Sequence, residues 1–261
     1  MSKTLARILL GSVKAASAWQ KPVRQAHTLL RLSSYLHRHD TIATAAGPIS
    51  FVTTHPEALD YPTSLLTRET DTIAWLDRLT KDDVLWDIGA NVGAYALYGA
   101  RRGAQVWAFE PAPASFAALS ENIRINRLDD RIVALPIAIG GTTGLGKLAM
   151  SSTNPGSVGH NLGGTAASVI FNQSVMNYTA DDFQRIYAAP RPTFIKLDVD
   201  GIEPDILEGA RDILADPKLR SLLVEVDKND AKIYGRVCKA AEEAGLKLTQ
   251  HLIENAIFDR P

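Results

Sequence analysis

The stretch VLWDIGANVGAY, residues 84–95, decides the fold. VLWDI (84–88) is a short apolar run of strand character. Gly89 and Gly93 make a turn, and AYALYGARR (94–102) has helical apolar spacing, with Gly103 at a C-cap position. Strand, glycine turn and helix form the opening unit of an α/β sheet. The same alternation continues outward. QVWAFE (105–110), RIVALPIAI (131–139), TFIKLDV (193–199) and SLLVEV (221–226) read as strands. Helices fall at 70–79, within 113–127, from Pro204 through Leu214, and at 230–244, and LKLTQHL and ENAIFDR read as a closing hairpin. Continuously apolar strands alternating with amphipathic helices imply a parallel sheet covered on both faces, a doubly wound α/β architecture. Residues 141–180 break the rhythm with a Gly/Ser/Asn-rich run, SSTNPGSVGHNLGG (151–164), and read as an inserted hairpin with a mobile loop at its tip.

The glycine turn also carries chemistry. Backbone N–H groups at a helix start can face a ligand. A dinucleotide fold wants G-x-G-x-x-G. Here only Gly89 and Gly93 flank Asn91, so the glycine that admits a pyrophosphate is missing. Asp87, two residues before Gly89, suits a ligand bearing an ammonium group. Glu110 ends the next strand about twenty residues on, where a carboxylate can accept both hydroxyls of a ribose. The pair indicates an adenosine-type cofactor. A nicotinamide-dependent oxidoreductase is disfavoured because the G-x-G-x-x-G loop it predicts is absent.

DIGANVG (87–93), FEP (109–111), ENIRIN (121–126), KLDVDGIEPDILEGA (196–210) and LLVEVD (222–227) together resemble the FkbM-type S-adenosylmethionine-dependent methyltransferases. The likeness runs over about residues 65–260. It implies a Rossmann-like class I methyltransferase fold, a seven-stranded mostly parallel sheet with the last strand antiparallel and helices on both faces. It implies that Asp87, Gly89, Asn91 and Gly93 surround the methionine part of S-adenosylmethionine, and that Glu110, followed by Pro111, holds the ribose. TADDF (179–183) resembles the family's T-L-D-D-L segment, with Ala180 in place of leucine. Members are mostly O-methyltransferases of sugars, polyketides and other small metabolites, so the expected acceptor is a small molecule or glycan.

FIKLDVDGIEPDILEGA (194–210) holds three carboxylates, Asp198, Asp200 and Glu203. An EF-hand calcium loop needs glycine sixth, whereas Gly201 stands fourth from Asp198. Strand period two puts Lys196, Asp198 and Asp200 on one face, opening into the ligand crevice. Methyl transfer needs alignment and, for an alcohol acceptor, a base. Asp198 is the first candidate and Asp200 the second; the structural alternative for Asp198 is an ion pair with Lys196. His160, in the glycine-rich loop, is a base that a closing lid would deliver, or a solvated loop residue. Glu203 sits near a helix start, where offsetting the dipole competes with a substrate role. Glu225 ends its strand at the crevice edge. No Asp/Asn pair at metal-binding spacing stands out, and no metal is assigned.

Composition bounds the rest. Of 261 residues, 46% are hydrophobic and 22% charged, with net charge −1, which allows a sizeable core. Residues 1–39 hold seven Lys/Arg and no Asp or Glu, so all 29 acidic residues lie beyond them. That acidic remainder argues against nucleic acid. Residues 1–45 read as a basic helical extension and 46–261 as the methyltransferase domain. The start, MSKTLARILLGSVKAASAW, reads as an amphipathic helix, because Lys14 interrupts any signal-peptide core. It would pack on its own domain or on a second copy in a homo-oligomer; the alternative is peripheral contact with an anionic inner-membrane surface through residues 1–40. The single Cys238 suits a reducing, cytoplasmic setting. The competing function is a non-catalytic methyltransferase-like module that docks on a membrane or partner through this helix. It would be expected to carry a degraded cofactor loop.

Overall fold

The computed structural model describes residues 3–35, 39–53, 55, 58, 64, 67–163, 169–251 and 255–261. The chain divides into two compact units, Met1–His39 and Asp40–Pro261. In the first, helices α1 (Lys3–Ala16) and α2 (Pro22–Tyr35) are joined by Gln25, whose Nε2 donates to the Lys14 carbonyl at 2.8 Å and to Ser17 Oγ at 3.2 Å. Ile8, Leu9, Leu10 and Trp19 remain exposed there. Among the described residues, no helix is long and apolar enough to cross a membrane.

The second unit opens with a two-stranded ribbon, β1 (His39–Ile42) and β2 (Ile49–Val52), followed by helix α3 (Thr70–Leu76). The central strands are β3 (Val84–Ile88), β4 (Gln105–Phe109), β5 (Ile132–Leu135), β10 (Phe194–Leu197), β11 (Ser221–Glu225), β12 (Lys247–His251) and β13 (Asn255–Asp259). They form one sheet in the order β12-β13-β11-β10-β3-β4-β5. All neighbours are parallel except β13, which runs antiparallel to β11 and β12. The seven-stranded, mostly parallel sheet expected from the sequence is therefore present, with the last strand reversed.

Helices α4 (Ala94–Arg101) and α5 (Pro113–Asn126) follow β3 and β4, and α9 (Ala231–Glu243) follows β11. The strands bury side chains on both faces, in two separate cores. Trp75, Leu76, Leu97 and Tyr98 belong to one core, and Trp86, Phe109, Phe183 and Leu207 to the other. Because the chain leaves β3 toward β4 on one side and later returns to β10 on the other, β3 is the switch point. Ligands of such sheets bind at the strands' carboxyl ends there.

Two elements differ from the sequence reading. The run 131–139 is not one strand. It stops at Leu135 and resumes as β6 (Ala138–Ile139), which joins a second sheet. Pro136 has no N–H to offer a ladder, so the apolar run breaks there. The helix from Pro204 to Leu214 is two short helices, α7 (Glu203–Glu208) and α8 (Arg211–Leu214). A Cβ on Gly209 between them would come within 3.0 Å of Thr179 Cβ. The carboxylate of Asp181 accepts the N–H groups of Asp212 and Ile213, both at 3.0 Å, and so starts α8 afresh. Ile206, Leu207, Ala210, Ile213 and Leu214 are still all buried.

The second sheet contains the expected hairpin. Strands β7 (Gly144–Met150) and β9 (Phe171–Tyr178) pair antiparallel, and β8 (Asn161–Leu162) adds to the edge of β7. Helix α6 (Ala180–Tyr187) follows β9. Its N-cap is Thr179, whose side chain accepts from the Asp182 N–H at 3.1 Å, so the TADDF segment acts as a capping unit.

Candidate active site

Gly89, Asn91, Glu110, Pro111, Asp198, Asp200 and His160 all line one cavity of about 550 Å³ at the carboxyl ends of β3, β4, β10 and β11. Arg68, Glu69, Tyr95, Ser157 and Glu225 complete much of its wall. Seven of the nine residues picked out by sequence thus converge. Asp87 and Gly93 do not line it.

Asp87 lies behind that wall, fully buried. Its Cα partner across the β3–β10 ladder is Lys196, so the register sets the two side chains on one face. Lys196 Nζ stands 3.9 Å from Asp87 Oδ1 and 2.5 Å from Asp198 Oδ2, and 4.7 Å from the centre of the Tyr95 ring. The ammonium expected of a ligand near Asp87 is thus met in part by the protein's own lysine. Burial nevertheless pushes the Asp87 carboxyl up to about 6, against the pull of Lys196, and neither oxygen has a well-formed hydrogen bond.

Packing also requires glycine at positions 89 and 93. Both have positive φ, +83° and +88°. A Cβ on Gly89 would overlap the Asp198 carbonyl oxygen, and one on Gly93 would run into the Leu119 side chain. The amides of Gly89 and Ala90 both donate to the Phe109 carbonyl at 3.0 Å. The turn is thereby clamped between β4 and the end of β10.

Glu110 continues the clamp. Its Oε2 accepts from the Asn91 N–H at 2.8 Å and its Oε1 from the Ala112 N–H at 2.7 Å. Burial outweighs these bonds and pushes the carboxyl up to about 7. Each oxygen keeps a lone pair for a hydroxyl.

Asp198 follows the last residue of β10 and is the cluster's ionised member. Burial would raise it, but Lys196 and a hydrogen bond from Glu225 hold it below the usual carboxylate range. Glu225 carries the shared proton, raised to about 9 by that bond and by burial. A carboxylate held this low is a weak proton acceptor. The ion pair weighed against a catalytic role for Asp198 is present. Asp200 Oδ2 accepts the backbone N–H groups of Gly159 and His160, both at 2.9 Å. The ring nitrogens of His160 are shielded from water and find no hydrogen-bond partner among the described residues. Burial lowers its pKa and favours the neutral imidazole, the form that can accept a proton. Glu203 is buried beneath this corner, accepting from the Gly201 N–H at 3.0 Å and raised to about 7 by burial.

Lys196 was read only as a charge that could neutralise Asp198. Period two already put them on one face; the pairing with Asp87 depends on strand register, which local sequence does not carry. Among the described residues, no three His, Cys, Asp or Glu side chains are grouped to hold a metal ion.

Residues 87–252 match the methyltransferase FkbM domain. The chain belongs to that family. It is 30% identical over 141 residues to hexuronic acid methyltransferase AglP of Haloferax volcanii, covering 53% of this chain and 54% of that protein. It is 27% identical over 184 residues to 31-O-demethyl-FK506 methyltransferase FkbM of Streptomyces tacrolimicus, covering 59% of this chain and 69% of that one. The alignment thus spans about half the length of the first relative. Among solved structures, an S-adenosylmethionine-dependent methyltransferase from Agrobacterium tumefaciens superposes with a TM-score of 0.49 at 11% identity, over 85% of this chain and 69% of that one.

Proposed function

We propose that this FkbM-domain chain is a cytoplasmic S-adenosylmethionine-dependent O-methyltransferase that acts on a hydroxyl of a sugar, glycan or other small metabolite. The observation that carries the reading is the convergence of the β3 glycine turn, Glu110 and the Asp198–Asp200 corner on one cavity. Its volume is in the range of small-molecule sites. The residues fit the cofactor. Buried acids outnumber cations around Asp87, and Glu110 has acceptor capacity left for two hydroxyls.

Bound there, the cofactor supplies an electrophilic methyl group on a positively charged sulfur. Glu110 takes the ribose hydroxyls. Asp87 and Asp198 supply negative charge close to the methionine part, with Lys196 setting how much of it is unbalanced. Methylation of a hydroxyl would also require that its proton be taken up by a group of this chain. His160 is the best proton acceptor of the three candidates, its lowered pKa favouring the neutral form and its ring nitrogens having no partner among the described residues. The relatives named for a hexuronic acid and for 31-O-demethyl-FK506 support a sugar or other small-metabolite acceptor.

Isothermal titration with S-adenosylmethionine and S-adenosylhomocysteine tests the cofactor. Wild type is expected to bind at micromolar Kd. A Glu110→Ala variant with an unchanged circular dichroism spectrum should weaken by at least about tenfold, roughly 1.4 kcal/mol. Folded wild type that binds neither ligand would sink the proposal and revive the non-catalytic module.

A second reading concerns the first unit. Exposed Ile8, Leu9, Leu10 and Trp19 on or beside a helix free of acidic residues favour contact with an anionic membrane surface. Sedimentation with vesicles should then require anionic lipid and be lost on deleting residues 1–40; equal sedimentation with neutral vesicles would refute it.

A further inference from the structure

We propose that Asp200 is a positioning residue rather than the base: it latches the loop 151–163 over the cavity and sets the place of His160. This rests on the methyltransferase reading for its catalytic meaning, although the latch itself does not. The loop supplies Ser152, Gly156, Ser157, Val158 and His160 to the cavity wall. It is held from three separate elements. Asn91 of the glycine turn donates through Nδ2 to the Ser157 carbonyl at 3.4 Å. Ser115, in the first turn of α5, accepts the Gly156 N–H at 3.2 Å. The strongest tie is Asp200, whose Oδ2 takes two successive amides, Gly159 and His160, at 2.9 Å each. Charge-assisted bonds of this kind are about twice as strong as neutral ones.

The geometry of the two amides explains the sequence around them. Gly159 has φ +78°, and a left-handed residue there turns consecutive N–H groups to one side, a small nest for an anion. Oδ2, which already accepts two amide protons, is poorly placed to accept a third from substrate, so a base role would fall to Oδ1 alone. Asp200 also accepts from Asn161 Nδ2 through its own carbonyl at 3.3 Å, so the segments on either side of His160 are fixed to one residue of the β10–α7 turn. Those two amides face the carboxylate while the imidazole joins the cavity wall. Losing the carboxylate would free the backbone that aims the ring.

Amide hydrogen exchange of the full chain reads the latch directly. In Asp200→Ala, the amides of Gly159 and His160 should exchange at least about tenfold faster, while Gly156 changes less. Asp200→Asn keeps an acceptor oxygen and should restore much of the protection. Ser115→Ala should give the reverse pattern, faster exchange at Gly156 with Gly159 and His160 still protected, and it serves if Asp200→Ala does not fold. Turnover should follow the same order, with Asp200→Asn above Asp200→Ala by about tenfold and the acid limb of the pH profile still set by His160. Unchanged exchange at Gly159 and His160 in Asp200→Ala would overturn the latch. So would Asn and Ala variants equally inactive with protection intact, which would mark Asp200 as the base. If wild type transfers no methyl group, the exchange pattern still decides the latch, so the two failures are distinguishable.

Discussion

Two buried aspartates flank the same strand and meet opposite fates. Asp83, just before β3, receives four hydrogen bonds: Thr80 N–H at 2.9 Å, and Thr80 Oγ1, Thr193 Oγ1 and Arg220 at 2.8 Å each. Burial works against its charge, yet these partners together hold its carboxyl below the ordinary value. Asp87, near the strand's other end, is buried more deeply, collects no comparable set of hydrogen bonds among the described residues, and is pushed up to about 6 by that burial. The amino edge of the sheet is closed and satisfied. At the carboxyl edge one lysine serves Asp87 and Asp198, while Glu225 keeps a proton. Unbalanced acid is disfavoured in a free core and tolerated where a ligand with positive charge completes it.

The strongest way to break this contrast is Lys196→Met. Lys196 is 1% exposed, so its removal leaves the buried Asp87 and the part-exposed Asp198 without that cation. A loss of about 3–5 kcal/mol in denaturant unfolding is expected. A loss below about 1 kcal/mol would mean that water or rearrangement already satisfies the acids, and the carboxyl edge would not be charge-strained.

A middle-sized effect separates the edges by the sign of their pH dependence. In the folded protein the Asp87 carboxyl is raised to about 6 by burial, and the Glu225 carboxyl to about 9 by its bond to Asp198 and by burial, both above the ordinary carboxylate range. The folded state therefore holds protons that the unfolded chain releases, and this edge makes stability fall as pH climbs from about 4 to 9. Asp83 is lowered, so its contribution is present above about 4 and is lost as pH falls further. Glu225→Gln, which still donates to Asp198, should flatten the decline in urea midpoint between pH 6 and pH 9. Asp83→Asn should flatten only the acid limb. A Glu225→Gln profile parallel to wild type would remove the shared proton from the account.

Much of this edge was legible in the sequence, and the parts that were not share a cause. Apolar runs and glycine turns marked β3, β4, β10 and β11, and Glu110 was found because it ends a strand. The break at Pro136 was in plain view, but the apolar residues on both sides of it dominated the reading of 131–139. Lys196 opposite Asp87 depends on which strand lies beside which, a property of the whole sheet. The ties on 151–163 run to backbone amides and carbonyls of Gly156, Ser157, Gly159 and His160, and a backbone atom leaves no mark in a residue list. The sequence therefore offered Asp200 only as a second base beside Asp198, and the latch proposed for it had no signal there.

The smallest expected effect sharpens the comparison from the closed side. Arg220 is the cation of the amino edge as Lys196 is of the carboxyl edge, and both touch a buried aspartate. Their surroundings differ. The Arg220 side chain is 52% exposed, with its guanidinium 5.1 Å from the Phe194 ring centre. Without it, Asp83 Oδ1 keeps Thr193 and Oδ2 keeps both donors of Thr80. Arg220→Ala should therefore cost about 1 kcal/mol or less. Measured beside Lys196→Met in one denaturant series, it tests what governs the two edges. A severalfold difference would show that the neighbours of a buried carboxylate, not the presence of a cation, decide how much that cation matters. Equal losses would show that the two edges are alike in how much a buried carboxylate depends on its cation.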